Sequence, residues 1–211
     1  MDTRRITVLS AGLGQPSSTR LLADRLADAT EAALTEQGFA VERSVVELRD
    51  LAHDVTNNLL TGFASPALQT ALDAVAGADG LIAVTPIFTT SYSGLFKSFV
   101  DVLDTEALRS LPVLLAATGG SPRHSLAVDY AMRPLFSYLH ASPLSTTVFA
   151  ATDDWGGATE DGRALPSRIE RAGRELATEA ARVSRSGSTT DPWALDGSFE
   201  ASFGSRLGKR C

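Results

Sequence analysis

Three stretches of this chain set small hydroxyl residues, glycine and apolar groups in patterns that suit a small anionic ligand with a flat ring. The first, Ser10-Ala11-Gly12-Leu13-Gly14-Gln15-Pro16-Ser17-Ser18-Thr19, stands directly before a helical pattern. Free backbone N–H groups and the positive end of a helix dipole favour an anion at such a place, and Ser10, Ser17 and Thr19 would add hydroxyl donors. An ordinary helix N-cap uses the same residue types, so this stretch reads both ways. It lacks G-x-x-x-x-G-K-[ST], and Gly12-x-Gly14 has no glycine at the third place of the dinucleotide fingerprint, which favours a monophosphate over a pyrophosphate.

The second stretch, Thr85-Pro86-Ile87-Phe88-Thr89-Thr90-Ser91-Tyr92-Ser93-Gly94, places an apolar and aromatic wall beside hydroxyls. A planar ring would suit it; burial of Phe88 for packing is the alternative. In the third, Thr118-Gly119-Gly120-Ser121, paired glycines let the backbone approach a ligand closely, as they would in a plain turn. Arg123 and His124 follow and would either face a nucleotide phosphate or be solvated.

Other chemistry finds little support. His53, His124 and His140 share no ligand spacing with one another or with Cys211, so no metal site is expected. No G-x-S-x-G marks a hydrolase nucleophile. Asp153, Asp154, Glu160 and Asp161 lie among Gly156, Gly157 and Gly162, the pattern of a solvated turn, and Trp155 reads there as packing, with cover for a ligand ring or a subunit seam as the alternative.

The elements that must position these loops follow from hydrophobic periodicity. Ile6–Ala11 reads as a first buried strand, and Leu21, Leu22, Leu26, Ala29, Ala33 and Leu34 recur at helical steps from Ser18 to about Gly38. Phe39–Leu48 is a second strand, Arg49–Ser65 a long loop with weak helical character, and Pro66 opens a helix to about Ala76. Gly80–Thr85 and Pro112–Thr118 are near-continuous apolar runs, the signature of strands covered on both faces. Helices are expected over Gly94–Asp104 and over Ser125–Leu139, kinked at Pro134. A fifth strand over Ser145–Ala151 and a last helix over about Pro166–Arg185 complete the pattern. Strand, loop and helix alternate throughout. This predicts an α/β fold: a five-stranded parallel sheet in the order 2-1-3-4-5 with helices on both faces, and a ligand site beyond the strands' carboxyl ends.

With 211 residues we expect one folded unit over 1–185 and a flexible tail over 186–211, where Trp193, Phe199 and Phe203 would serve as a docking segment. Hydrophobic residues at 44%, charged residues at 21% and a mean hydropathy of +0.03 are those of a globular chain. A net charge of −6 disfavours nucleic acid and anionic membrane as partners, since both recruit basic patches. One cysteine, and an N-terminus that leads into a strand without a signal-type apolar region, point to the cytoplasm.

Ser10–Leu22, the run Thr85-Pro86-x-x-x-x-Ser91-Tyr92-Ser93-Gly94-x-x-Lys97-x-x-x-Asp101 and Thr118-Gly119-Gly120 together resemble the NAD(P)H-dependent FMN reductase family of the flavodoxin-like superfamily. The resemblance covers about Ile6 to Arg182. More narrowly, the chain is similar to actinobacterial FMN reductases that partner luciferase-like flavin monooxygenases. It implies that Ser10, Gly12, Ser17, Ser18 and Thr19 hold the FMN phosphate and that Pro86, Ile87, Phe88 and Thr89 line the isoalloxazine and ribityl chain. Thr118, Gly119, Gly120 and Ser121 would then meet the pyrimidine edge. Two departures stand out. The family's first loop often reads G-S-x-R-x-x-S, whereas no arginine precedes Ser17 here, which leaves Arg20 as the candidate substitute. Many members carry an acidic residue and Tyr-Asn where this chain has Ile87-Phe88-Thr89, which makes the ring contacts more apolar.

The implied reaction passes hydride from NADPH or NADH to the flavin, chemistry that belongs to the cofactor and asks no acid or base of a side chain. The protein would stack the two rings at about 3 to 3.5 Å and place N–H donors, from Gly119 and Gly120, where charge develops. We expect a homodimer or homotetramer whose reduced flavin feeds a monooxygenase. A quinone or azo-dye reductase would share the flavin site. A flavodoxin-type electron carrier would bind flavin without turnover, but flavodoxins sandwich the ring between aromatics, and here only Phe88 and Tyr92 are near.

Overall fold

A computed structural model of the chain describes residues 2–156 and 164–183. The proposed tail, with Trp193, Phe199 and Phe203, and the acidic Glu160 and Asp161 lie outside the described residues. Strand β1 (Thr3–Ser10) leads into helix α1 (Ser18–Glu36), followed by β2 (Ala40–Glu47), α2 (Ala52–Thr61) and α3 (Pro66–Ala76). Then come β3 (Gly80–Phe88), the two-residue β4 (Ser91–Tyr92), α4 (Gly94–Asp101) and β5 (Pro112–Gly119). The chain continues through α5 (Arg133–Tyr138), β6 (Ser142–Pro143) and β7 (Val148–Ala151) to α6 (Leu165–Arg182).

The sheet runs β2-β1-β3-β5, and all of these neighbours pair in parallel. Period-two alternation splits each central strand between two cores. Leu81 and Ala83 of β3, with Val113 and Leu115 of β5, face a cluster that holds Val75, Phe96, Phe99 and Phe136 from α3, α4 and α5. Ile82, Val84, Leu114 and Ala116 face the other way, against Leu22 and Leu26 of α1 and Leu176 of α6. Each such fully buried leucine contributes about 1.5–3 kcal/mol of transfer free energy. Gly173 lets α1 and α6 cross closely, because a Cβ there would stand 2.8 Å from that of Ala29.

The expected doubly wound α/β architecture is present, with corrections. Among the described residues the sheet has seven strands instead of five. The predicted fifth strand, Ser145–Ala151, is shortened to β7, which pairs with Ala116–Gly119, and a break separates it from β6, which lies before the predicted range and pairs with Pro112–Val113 on the same edge of β5. The break has a local cause. The amides of Ser145 and Thr146 donate to the Glu175 carboxylate of α6, at 2.9 and 3.2 Å, in place of a strand partner. Nor is the sheet wholly parallel, since β4 turns back antiparallel on the end of β3 through Thr89 and Thr90, both at positive φ.

A further correction concerns the predicted loop Arg49–Ser65, which contains a ten-residue helix, α2. Its apolar signal is weak because only Val55 is fully buried, while Leu59 and Leu60 face outward. The helix predicted over Ser125–Leu139 divides into a π-helical turn, Val128–Met132, and α5. The irregular turn falls just before Pro134, whose missing N–H is tolerated in the first turn of α5.

Candidate functional site

The strand order reverses between β1 and β3, so the loops that follow them leave the sheet in opposite directions and open a crevice at their carboxyl ends. A cleft of about 390 Å³ lies there. It is lined by Leu13, Gly14, Pro16 and Ser17–Thr19 from the first loop, by Pro86–Phe88 from the second and by Thr118–Gly120 from the third. Ala150, Thr152 and Trp155, which follow β7, close one side. A larger depression of about 540 Å³ lies beside Asp28, Glu31 and Arg43. Arg43 there is ion-paired to both acids at 2.8 Å, away from the strand ends, so it offers no converging free donors.

The first loop turns into α1 at Ser17, whose Oγ accepts from the Arg20 backbone N–H at 3.2 Å. This is an N-cap, and it coexists with ligand binding, because the first amides of a helix have no intrahelical carbonyl to meet. No acidic residue stands in that first turn to neutralise the dipole. Thr19, buried, shares a 2.8 Å hydrogen bond with Thr118 and so ties the first loop to the third. Since only one of the two hydroxyls donates in that pair, one O–H is left for a ligand.

The second loop is pinned from below. The Ser93 amide donates to buried Thr85 Oγ1 at 3.0 Å, and Ser93 Oγ accepts from the Phe96 amide at 3.2 Å to cap α4. Lys97 and Asp101, one helical turn apart, pair at 2.6 Å, and their hydrogen bond raises the Lys97 pKa above its ordinary value. The turn after β7 is fastened by Arg168. Its guanidinium donates to the Phe149 carbonyl and to Asp154, both at 2.7 Å, and Asp154 in turn accepts from the Ala151 amide at 2.7 Å. Trp155 packs against the α1/α6 core with Arg25 5.2 Å from its ring centroid, and it also lines the cleft.

Of the predicted site residues, Ser17, Ser18, Thr19, Pro86, Ile87, Phe88, Thr118, Gly119 and Gly120 meet at this cleft. Four do not line it. Ser10 is buried at the end of β1 with an Oγ that has no hydrogen-bond partner among the described residues. Gly12 lies behind the loop, where a Cβ would stand 2.1 Å from Ser17 Oγ. Thr89 forms the β3–β4 turn at φ 47°, and Ser121 caps the short turn Pro122–His124, its Oγ accepting from Arg123 Nε at 3.2 Å. Arg20 is no substitute for the absent loop arginine: Asp24, at 2.9 Å, and Glu47 hold its guanidinium, and the Asp24 hydrogen bond foremost raises its pKa. Trp155, for which packing is the favoured reading from the sequence and ring cover the alternative, does both; sequence reasoning missed Thr152 and Ala150 as lining groups. Their one signal was position, just after the last strand and hence on the ligand side of the sheet.

Among the described residues, none of the side chains that line the cleft is ionisable and no cluster of three or more metal-ligating side chains occurs. Residues 4–156 match the family described as NADPH-dependent FMN reductase. The chain is a member of that family. It is an oxidoreductase that works with FMN and a nicotinamide nucleotide. This FMN reductase is 35% identical over 175 residues to an FMN reductase (NADPH) of Pseudomonas aeruginosa, covering 82% of this chain and 90% of the relative. It is 34% identical to the NADH-dependent FMN reductase SfnF of Pseudomonas putida, over 84% of this chain and 91% of the relative. Among solved structures, an oxidoreductase from Corynebacterium diphtheriae superposes with a TM-score of 0.83 at 44% identity, over 87% of this chain and all of the other. A WrbA-like flavodoxin from Agrobacterium tumefaciens, at 16% identity and a TM-score of 0.56 over 86% and 98% of the two chains, shows the flavodoxin-like fold alone.

The residues fit the group that the family name implies. The hydroxyls of Ser17–Thr19 at the N-terminus of α1 and the half-exposed apolar wall at Phe88 suit a phosphate and a flat ring.

Proposed function

We propose that this cleft holds FMN with its phosphate on Ser17–Thr19 and its ring between the second and third loops, and that the reduced flavin leaves to serve a flavin-dependent monooxygenase. The observation that carries the reading is the convergence of a helix N-terminus, an apolar wall and a paired-glycine loop on a cleft whose lining, among the described residues, has no ionisable group. Bound FMN supplies the centre that accepts hydride from the nicotinamide. The chain's own residues bind and orient. Amides of the first turn of α1 and the hydroxyls of Ser17, Ser18 and Thr19 meet the phosphate, with Ser10 and Gly12 shaping the loop from behind. Pro86, Ile87 and Phe88 exclude water from one side of the ring, while the Gly119 and Gly120 backbone approaches its polar edge. Thr89 and Ser121 hold the shapes of the second and third loops.

Leu13 and Phe88, each 48% exposed, leave the cleft open at its rim, which supports exchange of flavin over permanent retention. Leu60 and Phe63 on and after α2, 80% and 81% exposed, support self-association as a homodimer or homotetramer. No helix among the described residues is long and apolar enough to cross a membrane, and we place the enzyme in the cytoplasm.

Anaerobic mixing of catalytic protein with excess FMN and NADPH or NADH tests the reading. Loss of the oxidised-flavin absorbance over many turnovers is expected. Reduction of no more than one flavin per chain would make it an electron carrier, and faster turnover with a quinone or azo dye than with free FMN would reassign the acceptor.

A further inference from the structure

Between Ala11, whose amide donates to Val84, and the Ser17 cap, the first loop has little of its own to hold it. Among the described residues, the side chain of one residue from another element hydrogen-bonds to this span. Arg49, in the short turn Leu48–Leu51 after β2, donates from Nη1 to the Gly14 carbonyl at 3.3 Å. With the Gln15 amide oxygen turned toward it, as its neighbours require, Gln15 accepts from Nη2 at 2.6 Å and Nη1 at 3.0 Å. Glu47 at 3.7 Å and Asp50 at 3.3 Å face the same guanidinium, and Glu47 also binds Arg20. The Arg49 side chain is 24% exposed, while its acceptors at Gly14 and Gln15 lie at the surface.

Gly14 and Pro16 line the cleft, and Gln15 lies between them. A Gly-Leu-Gly segment loses much backbone entropy when a ligand orders it, and each contact that orders it beforehand removes part of that cost from binding. A planar guanidinium is suited to the task, since its donors are fixed relative to one another and can engage two acceptors at once. The benefit falls on whatever this loop binds. It does not fall on a ring held by the other two loops.

We propose that Arg49 is a positioning residue for the phosphate end of FMN: it braces Gly14 and Gln15 so that the amides leading into α1 are set before the phosphate arrives. This rests on the reading of the first loop as the phosphate site. The test is titration of flavin-free protein with FMN and with riboflavin, which differ by the phosphate, for wild type, R49Q and R49K.

Wild type should prefer FMN, and R49Q should lose about tenfold of that preference, with riboflavin affinity little changed. R49K, which keeps the charge but not the fork, should fall with R49Q. An unchanged FMN-to-riboflavin ratio in R49Q, parallel loss of both ligands, or full retention in R49K each overturns the proposal. Should R49Q fail to fold, Q15L replaces it, and a wild-type ratio there overturns the proposal equally. Absence of FMN binding by the wild-type protein would instead sink the phosphate-loop reading itself.

Discussion

Ser10 ends β1 with a buried hydroxyl that meets no partner among the described residues. An unsatisfied buried group costs about 1–3 kcal/mol, so Ser10→Ala should raise the melting temperature of flavin-free protein while lowering FMN affinity. Calorimetry on the same samples checks both signs, and unaltered affinity would show that Ser10 has no part in shaping the phosphate loop from behind. The glycines divide in a similar way. At Gly12 a methyl group would displace Ser17 Oγ and forfeit the α1 cap, so Gly12→Ala should cost about 1 kcal/mol of stability as well as flavin affinity. A Cβ at Gly120 meets no atom of another described residue beyond its chain neighbours within 4 Å, so Gly120→Ala should leave thermal stability nearly unchanged. Its effect should appear in FMN binding and in KM for the nicotinamide. These roles were half legible in the sequence. Ser17 and Thr19 announce a helix start, but the Thr19–Thr118 bond joins residues far apart in the chain, and no local pattern encodes it.

Helices and strands were read well where apolar periodicity was strong and poorly where tertiary contacts decided. α1, α3, β3 and β5 stand close to their predicted bounds because each buries a full stripe or face. α2 is hidden in the sequence, since its contact with the core is little more than Val55, and the predicted fifth strand is shortened where Glu175, a residue of α6, takes the amides of Ser145 and Thr146. The strut between Arg168 and Asp154 is of the same kind: it links α6 to the turn that carries Thr152 and Trp155 into the cleft. Asp154→Asn should leave Arg168 without its counter-charge and cost about 1–2 kcal/mol, a few degrees of melting temperature. Trp155 fluorescence should change with it, and FMN affinity should fall. Wild-type flavin affinity in a destabilised Asp154→Asn protein would show that the strut serves stability alone.

For the whole molecule, the exposed pair Leu60 and Phe63 is expected to lie in a contact between copies of the chain. Light scattering should give a mass that is a multiple of the 22.2 kDa chain, and Leu60→Glu with Phe63→Glu should lower it. A monomeric wild type would dismiss that role. By itself the sequence determined the fold class, the order of the central strands and the three loops at one rim, because apolar period and turn chemistry are local and repeat along the chain. It also determined the family, through Thr85–Asp101 and the loops on either side. Only the tertiary structure decided which of those loop residues face the cleft and which support it from behind, that Arg20 is taken by Asp24 and Glu47, and that Arg49 reaches the loop instead. Each of those outcomes depends on which side chains from distant segments arrive within hydrogen-bond distance, and that is fixed by how helices pack across the sheet.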